Sequence, residues 1–196
     1  MDVIRCNVAY KIAAYNIIRM EEEEEEEEEE TFWYHCARLV KAITLYHNYN
    51  YDRLYGKKIS DVCIFLHKHC MVNGGEYSNN GRIVGSHLAV DPLYIEEYME
   101  TLNKFYEKHK YEKNIDVLIY YNFISIHPFS DGNGRVGKAF IFILRGKFKG
   151  RISQFKGVPT KKDHKKLCKE LGRLQKKTYN MFNINLDVNI LNEILT

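Results

Sequence analysis

The amino-acid sequence predicts an all-α fold that carries one small β-hairpin. Apolar residues recur at helical spacing in most segments, for example at Phe32, Cys36, Leu39 and Ile43. Only residues 76–90 change character, with turn-forming residues between short β-type runs. The chain has 196 residues and is 45% hydrophobic, which is enough for one domain with a core.

The predicted helices begin and end at recognisable signals. Asp91 and Pro92 supply an N-cap and a proline at the first helical position, Thr160 to Asp163 resembles a capping box, and Asn114 can cap the helix before His127. The amphipathic segment 1–20 is expected to form a helix packed against the core. The predicted helices lie at residues 1–20, 31–46, 60–73, 91–105, 115–126, 135–148, 160–179 and 186–195.

The hairpin is predicted from an Asn-Gly pair, the strongest short-range turn signal. Asn80 and Gly81 form the expected turn, with Tyr77 before it and Ile83 and Val84 after it. An exposed hairpin edge can hold an extended peptide by strand addition.

A run of ten glutamates, residues 21–30, separates the first helix from the rest of the chain. Such a block repels itself, so we expect a solvated linker or insertion of low complexity. The other 186 residues hold 29 basic and 16 acidic side chains, a formal charge of +13. This charge fits a polyphosphate ligand. Nucleic acid is the less favoured partner, because the Lys-rich helix 160–179 has an apolar stripe and is most simply a solvated surface helix.

Several classes of protein are disfavoured. No apolar stretch approaches 18 residues, so a membrane span is not expected, and the N-terminus lacks a secretory signal pattern. Five cysteines without a Cys-x-x-Cys pair favour an intracellular location, cytoplasmic or in a host cytoplasm if the protein is viral. His67 and His69, near Cys63 and Cys70, have poor spacing for zinc.

The stretch 127–138 concentrates the chemistry: His-Pro-Phe-Ser-Asp-Gly-Asn-Gly-Arg-Val-Gly-Lys. Glycines around Asn133 allow a tight turn that opens a helix, where free N–H groups bind phosphate. Arg135 and Lys138 lie three residues apart and can add positive charge on one face. The predicted ligand is therefore a phosphate group.

Two further side chains complete this stretch. Asp131 suits a Mg²⁺ ion shared with the phosphate, and His127 can accept a proton near neutral pH. The combination suggests nucleotidyl or phosphoryl transfer to a hydroxyl group.

The stretch resembles the signature of Fic-domain proteins, His-x-Phe-x-Asp/Glu-Gly-Asn-Gly-Arg-x-x-Arg. It matches every specified position except the last, where Lys138 replaces arginine. The resemblance implies a Fic-like helical domain over residues 31–196, with the core at about 60–148. It also implies Mg²⁺-dependent transfer of AMP from ATP to a Ser, Thr or Tyr hydroxyl of a target protein, with release of pyrophosphate.

The resemblance also implies a role for each matching residue. Lysine is a point charge where arginine is a planar fork, so Lys138 could slow the reaction or favour another donor. The implied roles are general base for His127, Mg²⁺ ligand for Asp131, core anchor for Phe129, anion hole for Gly132, Asn133 and Gly134, outer-phosphate binding for Arg135, γ-phosphate binding for Lys138, and a target-binding flap for Tyr77, Gly81, Arg82, Ile83 and Val84.

Many Fic proteins carry an inhibitory glutamate in the pattern Ser/Thr-x-x-x-Glu-Gly/Asn, and that pattern is absent here. Restraint by a separate inhibitory partner, restraint by the glutamate run, and no restraint all stay open. The functional alternatives are transfer of another nucleotide or phosphoryl group, removal of AMP, and a catalytically silent Fic-like module that binds nucleotide or protein.

Overall fold

Seven α-helices and one two-stranded antiparallel sheet make up the described part of the chain, residues 3–21, 29–49, 57–145 and 157–178 of a computed structural model. The predicted all-α class with a small hairpin is confirmed. The predicted helix 186–195 lies outside the described residues. In chain order the elements are α1 (Val3–Glu21), α2 (Glu29–Tyr49), α3 (Ile59–Cys70), β1 (Ile83–Val84), β2 (His87–Leu88), α4 (Ile95–His109), α5 (Ile115–Ile126), α6 (Asn133–Leu144) and α7 (Lys161–Thr178).

Helices α5 and α6 form the centre of the fold. Both are apolar on nearly every side, as expected of helices surrounded by protein. They pack against each other, α4 and α7 cover α5, and α1 and α3 cover α6. The loop that joins them is thereby enclosed by neighbouring elements.

Helix α1 lies against α2 and α6 and buries a stripe of small and branched side chains at Ala13, Ala14, Ile17 and Ile18. The structure places the first residue of the glutamate run, Glu21, within α1, and the last two residues of the run within α2. The ends of the run are thus helical, whereas the sequence analysis treated the whole run as a linker.

The hairpin exists, but the predicted position of its turn was wrong. Val84 pairs with His87, so the two-residue turn is Gly85-Ser86. Gly85 has φ +63°, and glycine reaches this left-handed region without steric cost. The Asn80-Gly81 pair instead lies in the loop before β1, where the Ser78 side chain hydrogen-bonds the Asn80 backbone.

None of the helices in the described ranges is both long and apolar enough to cross a bilayer.

Candidate functional site

The site lies where the α5–α6 loop meets α1, α2 and α7. Helix α5 ends at Ile126, and α6 begins at Asn133, so His127 and the first turn of α6 face one cavity of about 230 Å³. The cavity is lined by Ile18, Glu21, His35, His127, Ser130, Asp131, Gly132, Asn133, Gly134, Arg135, Lys161 and His164.

His67 contacts the α5–α6 loop and holds it in place. Its ring stacks on the fully buried ring of Phe129, with centroids 3.8 Å apart and planes 9° apart. Its Nδ1 accepts the Gly75 N–H at 2.8 Å, so Nε2 carries the proton and donates to the Asp131 carbonyl at 3.2 Å. Burial lowers the pKa of His67. His67 is therefore a structural contact of the loop, and its spacing in the sequence gave no signal of this role.

The Asn133 side chain also holds the loop together. Its Oδ1 accepts the Phe129 N–H at 3.0 Å, and its Nδ2 donates to the Phe129 carbonyl at 2.8 Å. The side chain is buried and fully engaged. Only the backbone of Asn133 can therefore contribute to an anion hole.

Replacement of Asn133 by alanine is expected to destabilise the fold by about 1–3 kcal/mol, because two buried backbone groups of Phe129 lose their partner. Urea unfolding followed by circular dichroism measures this change. Asn80→Ala, at an exposed loop position, is the control and should change stability by less than about 0.5 kcal/mol. Equal stabilities for the two variants would contradict the bracing role.

The N-terminus of α6 is suited to an anion. The first intrahelical bond runs from the Val136 N–H to the Gly132 carbonyl at 2.9 Å. The N–H groups of Asn133, Gly134 and Arg135 consequently have no acceptor within the helix, and these residues line the cavity. The positive end of the helix dipole adds to the attraction for negative charge.

A carboxylate of this chain lies in front of that helix end. A Cβ atom on Gly134 would overlap the side chain of Glu21, so only glycine permits this approach. The Glu21 carboxylate also binds Lys138 Nζ. Helix α1 thus places a negative charge at the start of α6, where the sequence predicts a phosphate group.

Lys138 is sealed in the interior. Its side chain has no exposed surface, and its Nζ contacts Glu21 and lies 3.3 Å from Tyr120 Oη. The predicted γ-phosphate contact is therefore not available to Lys138 in this arrangement.

Asp131 and Arg135 form a more open pair at the rim. Asp131 Oδ2 lies 3.0 Å from Arg135 Nη2, and Asp131 Oδ1 accepts the Gly132 N–H at 2.6 Å. The Asp131 side chain is 72% exposed. No group of three His, Cys, Asp or Glu side chains within the described ranges could hold a metal ion. A single exposed carboxylate fits a Mg²⁺ ion that takes its other ligands from phosphate and water.

His127 has the features of a proton acceptor. Its Nδ1 makes a long 3.4 Å contact with the Ile124 carbonyl, which leaves Nε2 as the nitrogen with a free lone pair. Burial, with smaller contributions from His164 and Arg82, lowers the pKa of His127 to about 4. The imidazole is therefore neutral at pH 7.

Lys161 and His164, both on α7, were missed as site residues. The ring of His164 lies 6.2 Å from that of His127, and burial lowers its pKa. The sequence analysis treated α7 as a solvated helix. A signal was available, because His164 falls on the same helical face as the buried Leu167, Cys168 and Leu171.

The five predicted flap residues do not share one surface. Gly81 and Ile83 are exposed, Ile83 by 74%, and Val84 is half-buried. Tyr77 packs 5.6 Å from the ring of Phe129, and Arg82 donates to the His127 carbonyl at 2.6 Å. The exposed surface of these residues is therefore centred on Ile83.

Comparison with known families agrees with this geometry. Residues 58–144 match the family model described as Fic/DOC family. This part of the chain is therefore similar to Fic-domain proteins. The matched region includes α3 to α6, the hairpin and the whole 127–138 stretch, whereas Glu21 and His164 lie outside it.

Curated relatives and solved structures give the same family. Proteins named protein adenylyltransferase Fic are 32% identical to this chain, over 77 residues in Drosophila willistoni and Drosophila melanogaster and over 95 residues in Drosophila erecta. These matches cover 37%, 37% and 44% of this chain and 16%, 16% and 19% of the relatives. The chain thus matches less than a fifth of their length.

Two solved structures share the fold. A Fic family protein from Desulfovibrio desulfuricans G20 superposes with a TM-score of 0.53 and 15% identity, covering 91% of this chain and 59% of that one. A Fic domain containing signaling protein from Bacteroides thetaiotaomicron VPI-5482 gives 0.54 and 16%, covering 89% and 75%. At these identities the likeness concerns the fold alone.

Proposed function

We propose that this Fic-like domain is a Mg²⁺-dependent protein adenylyltransferase, which transfers AMP from ATP to a Ser, Thr or Tyr hydroxyl of a target protein. One observation carries the proposal: neutral His127 shares a cavity with the three outward N–H groups at the start of α6. A base and a phosphate site are both needed for such a transfer. The names of the curated relatives, protein adenylyltransferase Fic, support the same reaction class.

The reaction follows from these positions. Nε2 of His127 takes the proton of the target hydroxyl, and the hydroxyl oxygen attacks the α-phosphorus of ATP. The bond from that phosphorus to the bridging oxygen breaks, and pyrophosphate leaves. The N–H groups of Asn133, Gly134 and Arg135, which have no acceptor within α6, are proposed to stabilise negative charge on the phosphates.

Asp131 is the proposed protein ligand of Mg²⁺. When bound, the ion offsets negative charge on the phosphates of ATP. Arg135, paired with Asp131 at 3.0 Å, then holds an outer phosphate oxygen.

Glu21 is proposed to restrain the site in the arrangement described. Its carboxylate lies beside Gly134, where phosphate is proposed to bind, and pairs with Lys138, so in this proposal ATP can use the full site only after Glu21 withdraws. Of the options that the sequence leaves open, we favour restraint by this single side chain over loose competition by the whole glutamate run, and it requires no separate inhibitory partner.

The target segment is proposed to add to the hairpin along β1, where Ile83 is exposed. An intracellular location remains part of the proposal. It rests on the cysteine pattern of the sequence, in which five cysteines form no Cys-x-x-Cys pair.

A silent nucleotide-binding module is the second candidate, and the burial of Lys138 beside Glu21 favours it over the remaining alternatives. Intact-protein mass spectrometry of the Glu21→Ala variant, which lacks the proposed restraint, separates the two after incubation with Mg²⁺ and ATP. Self-addition of AMP is the expected result. Calorimetric binding of ATP without any adduct would favour the silent module, and an adduct of a different mass would show that another group is transferred.

A further inference from the structure

The hairpin region is hydrogen-bonded to four consecutive carbonyl groups at the end of α5, residues 125–128. The donors, in order, are His87 Nε2 at 2.8 Å, the Val90 N–H at 3.3 Å, Arg82 Nη2 at 2.6 Å and the Ser78 N–H at 2.8 Å. These carbonyls lie where a helix runs out of its own donors. The hairpin region therefore supplies the donors that α5 lacks.

The third of these carbonyls belongs to His127, whose backbone is in an unfavourable conformation. His127 has φ +54° and ψ +58°, the left-handed region, which is sterically unfavourable for a non-glycine residue. Its own N–H donates to the Phe123 carbonyl at 2.9 Å. Arg82 provides the side-chain bond that fixes the other end of the same residue.

The guanidinium of Arg82 has further N–H donors that make no hydrogen bond to the described residues. Its Nε and Nη1 are shielded from solvent and have no hydrogen-bond partner among the described residues. Buried donors without partners are costly and call for an explanation. A role in holding His127 supplies one.

We propose that Arg82 is a positioning residue, which couples the target-binding hairpin to the orientation and charge of His127. This inference rests on the proposed role of His127 as the base. A target strand that adds to β1 contacts the segment next to Arg82. A shift of Arg82 then moves His127, because a 2.6 Å hydrogen bond joins Arg82 Nη2 to the His127 carbonyl. The sequence analysis predicted that Arg82 contacts the target. Its side chain instead hydrogen-bonds the His127 carbonyl, which gives it this different role.

The charge of Arg82 also acts on His127, because a nearby cation disfavours a second positive charge. Burial lowers the pKa of His127 most, and His164 of α7 and then Arg82 and His87 of the hairpin region lower it further. The remaining charged groups around the cavity are Glu21, Asp131, Arg135 and Lys161. Removal of Arg82 alone should therefore raise the pKa of His127 toward its ordinary value.

The test compares Arg82→Met with Arg82→Lys, and Arg173→Met on the exposed face of α7 is the control. The His127 imidazole is titrated by NMR and assigned by its loss in a His127→Ala sample. We expect Arg82→Met to raise the pKa of His127 by about one unit, and Arg82→Lys and Arg173→Met to leave it nearly unchanged. An unchanged pKa in Arg82→Met would overturn the proposal.

Transfer kinetics give a second readout. Arg82→Met should lower kcat about 10- to 100-fold with KM for ATP within twofold, and the acid limb of kcat/KM should move to higher pH. Arg82→Lys should recover part of kcat, and this variant is measured alone if Arg82→Met does not fold. Loss of ATP binding in both variants would show a merely structural role. The NMR titration can be measured even if no AMP transfer occurs. Failure of the proposed function can therefore be distinguished from failure of the proposed role of Arg82.

Discussion

Replacement of His127 by alanine is expected to reduce AMP transfer by on the order of 10²–10⁴, while ATP binding persists. The imidazole, neutral and half-buried at the cavity, is the proposed base, and the proposed phosphate contacts come from other residues. Alanine removes the proton acceptor without changing the N–H groups at the start of α6. The measurement is the initial rate of AMP incorporation by mass spectrometry, with calorimetry for the affinity for ATP.

His109→Ala is the matched control for this experiment. His109 lies at the end of α4, paired with Glu112 at 2.6 Å and away from the cavity. Its loss should leave the rate within twofold of the original. Transfer at the original rate by His127→Ala would remove His127 as the base, and His164, 6.2 Å away, would then be tested next.

The central helices and the loop between them were predictable because their signals are local. The nearly continuous apolar run in α5 predicts burial on all sides, and the 127–138 stretch predicts the turn into α6. Left-handed Gly132, immediately before α6, agrees with the tight turn predicted from its glycines.

The hairpin shows how a local signal can mislead. Two glycine-containing pairs, Asn80-Gly81 and Gly85-Ser86, lie within seven residues, and the pair that is the stronger turn signal does not form the hairpin turn. The packing of the segment decides, since hydrogen bonds from Ser78, Arg82 and Val90 to the end of α5 fix the register of the strands.

The contact between Glu21 and Lys138 could not be predicted, because 117 residues separate its partners. Glu21 is one of ten identical neighbours in the sequence, so no pattern distinguishes it from the rest. Only the direction in which α1 packs against α6 selects the carboxylate that reaches the cavity. The same is true of His67, whose partners Phe129 and Asp131 lie far along the chain.

Replacement of Glu21 by alanine is expected to have two opposite effects. It leaves Lys138 buried without its carboxylate, which should destabilise the free protein by on the order of 3 kcal/mol. It also opens the α6 N-terminus and frees Lys138 for a phosphate, so ATP should bind about tenfold or more tightly. Thermal unfolding with and without Mg²⁺ and ATP measures both effects, and the rise in Tm on adding ATP should be larger for the variant.

Glu30→Ala is the matched control, because it removes the same charge from the same glutamate run at an exposed position on α2. If the run acted as a diffuse polyanion, the two variants would gain similar affinity for ATP, since each loses one of ten charges. If the single contact to Lys138 is responsible, only Glu21→Ala changes. A lower affinity for ATP in Glu21→Ala would contradict restraint altogether, because a carboxylate that competes with phosphate cannot also assist its binding.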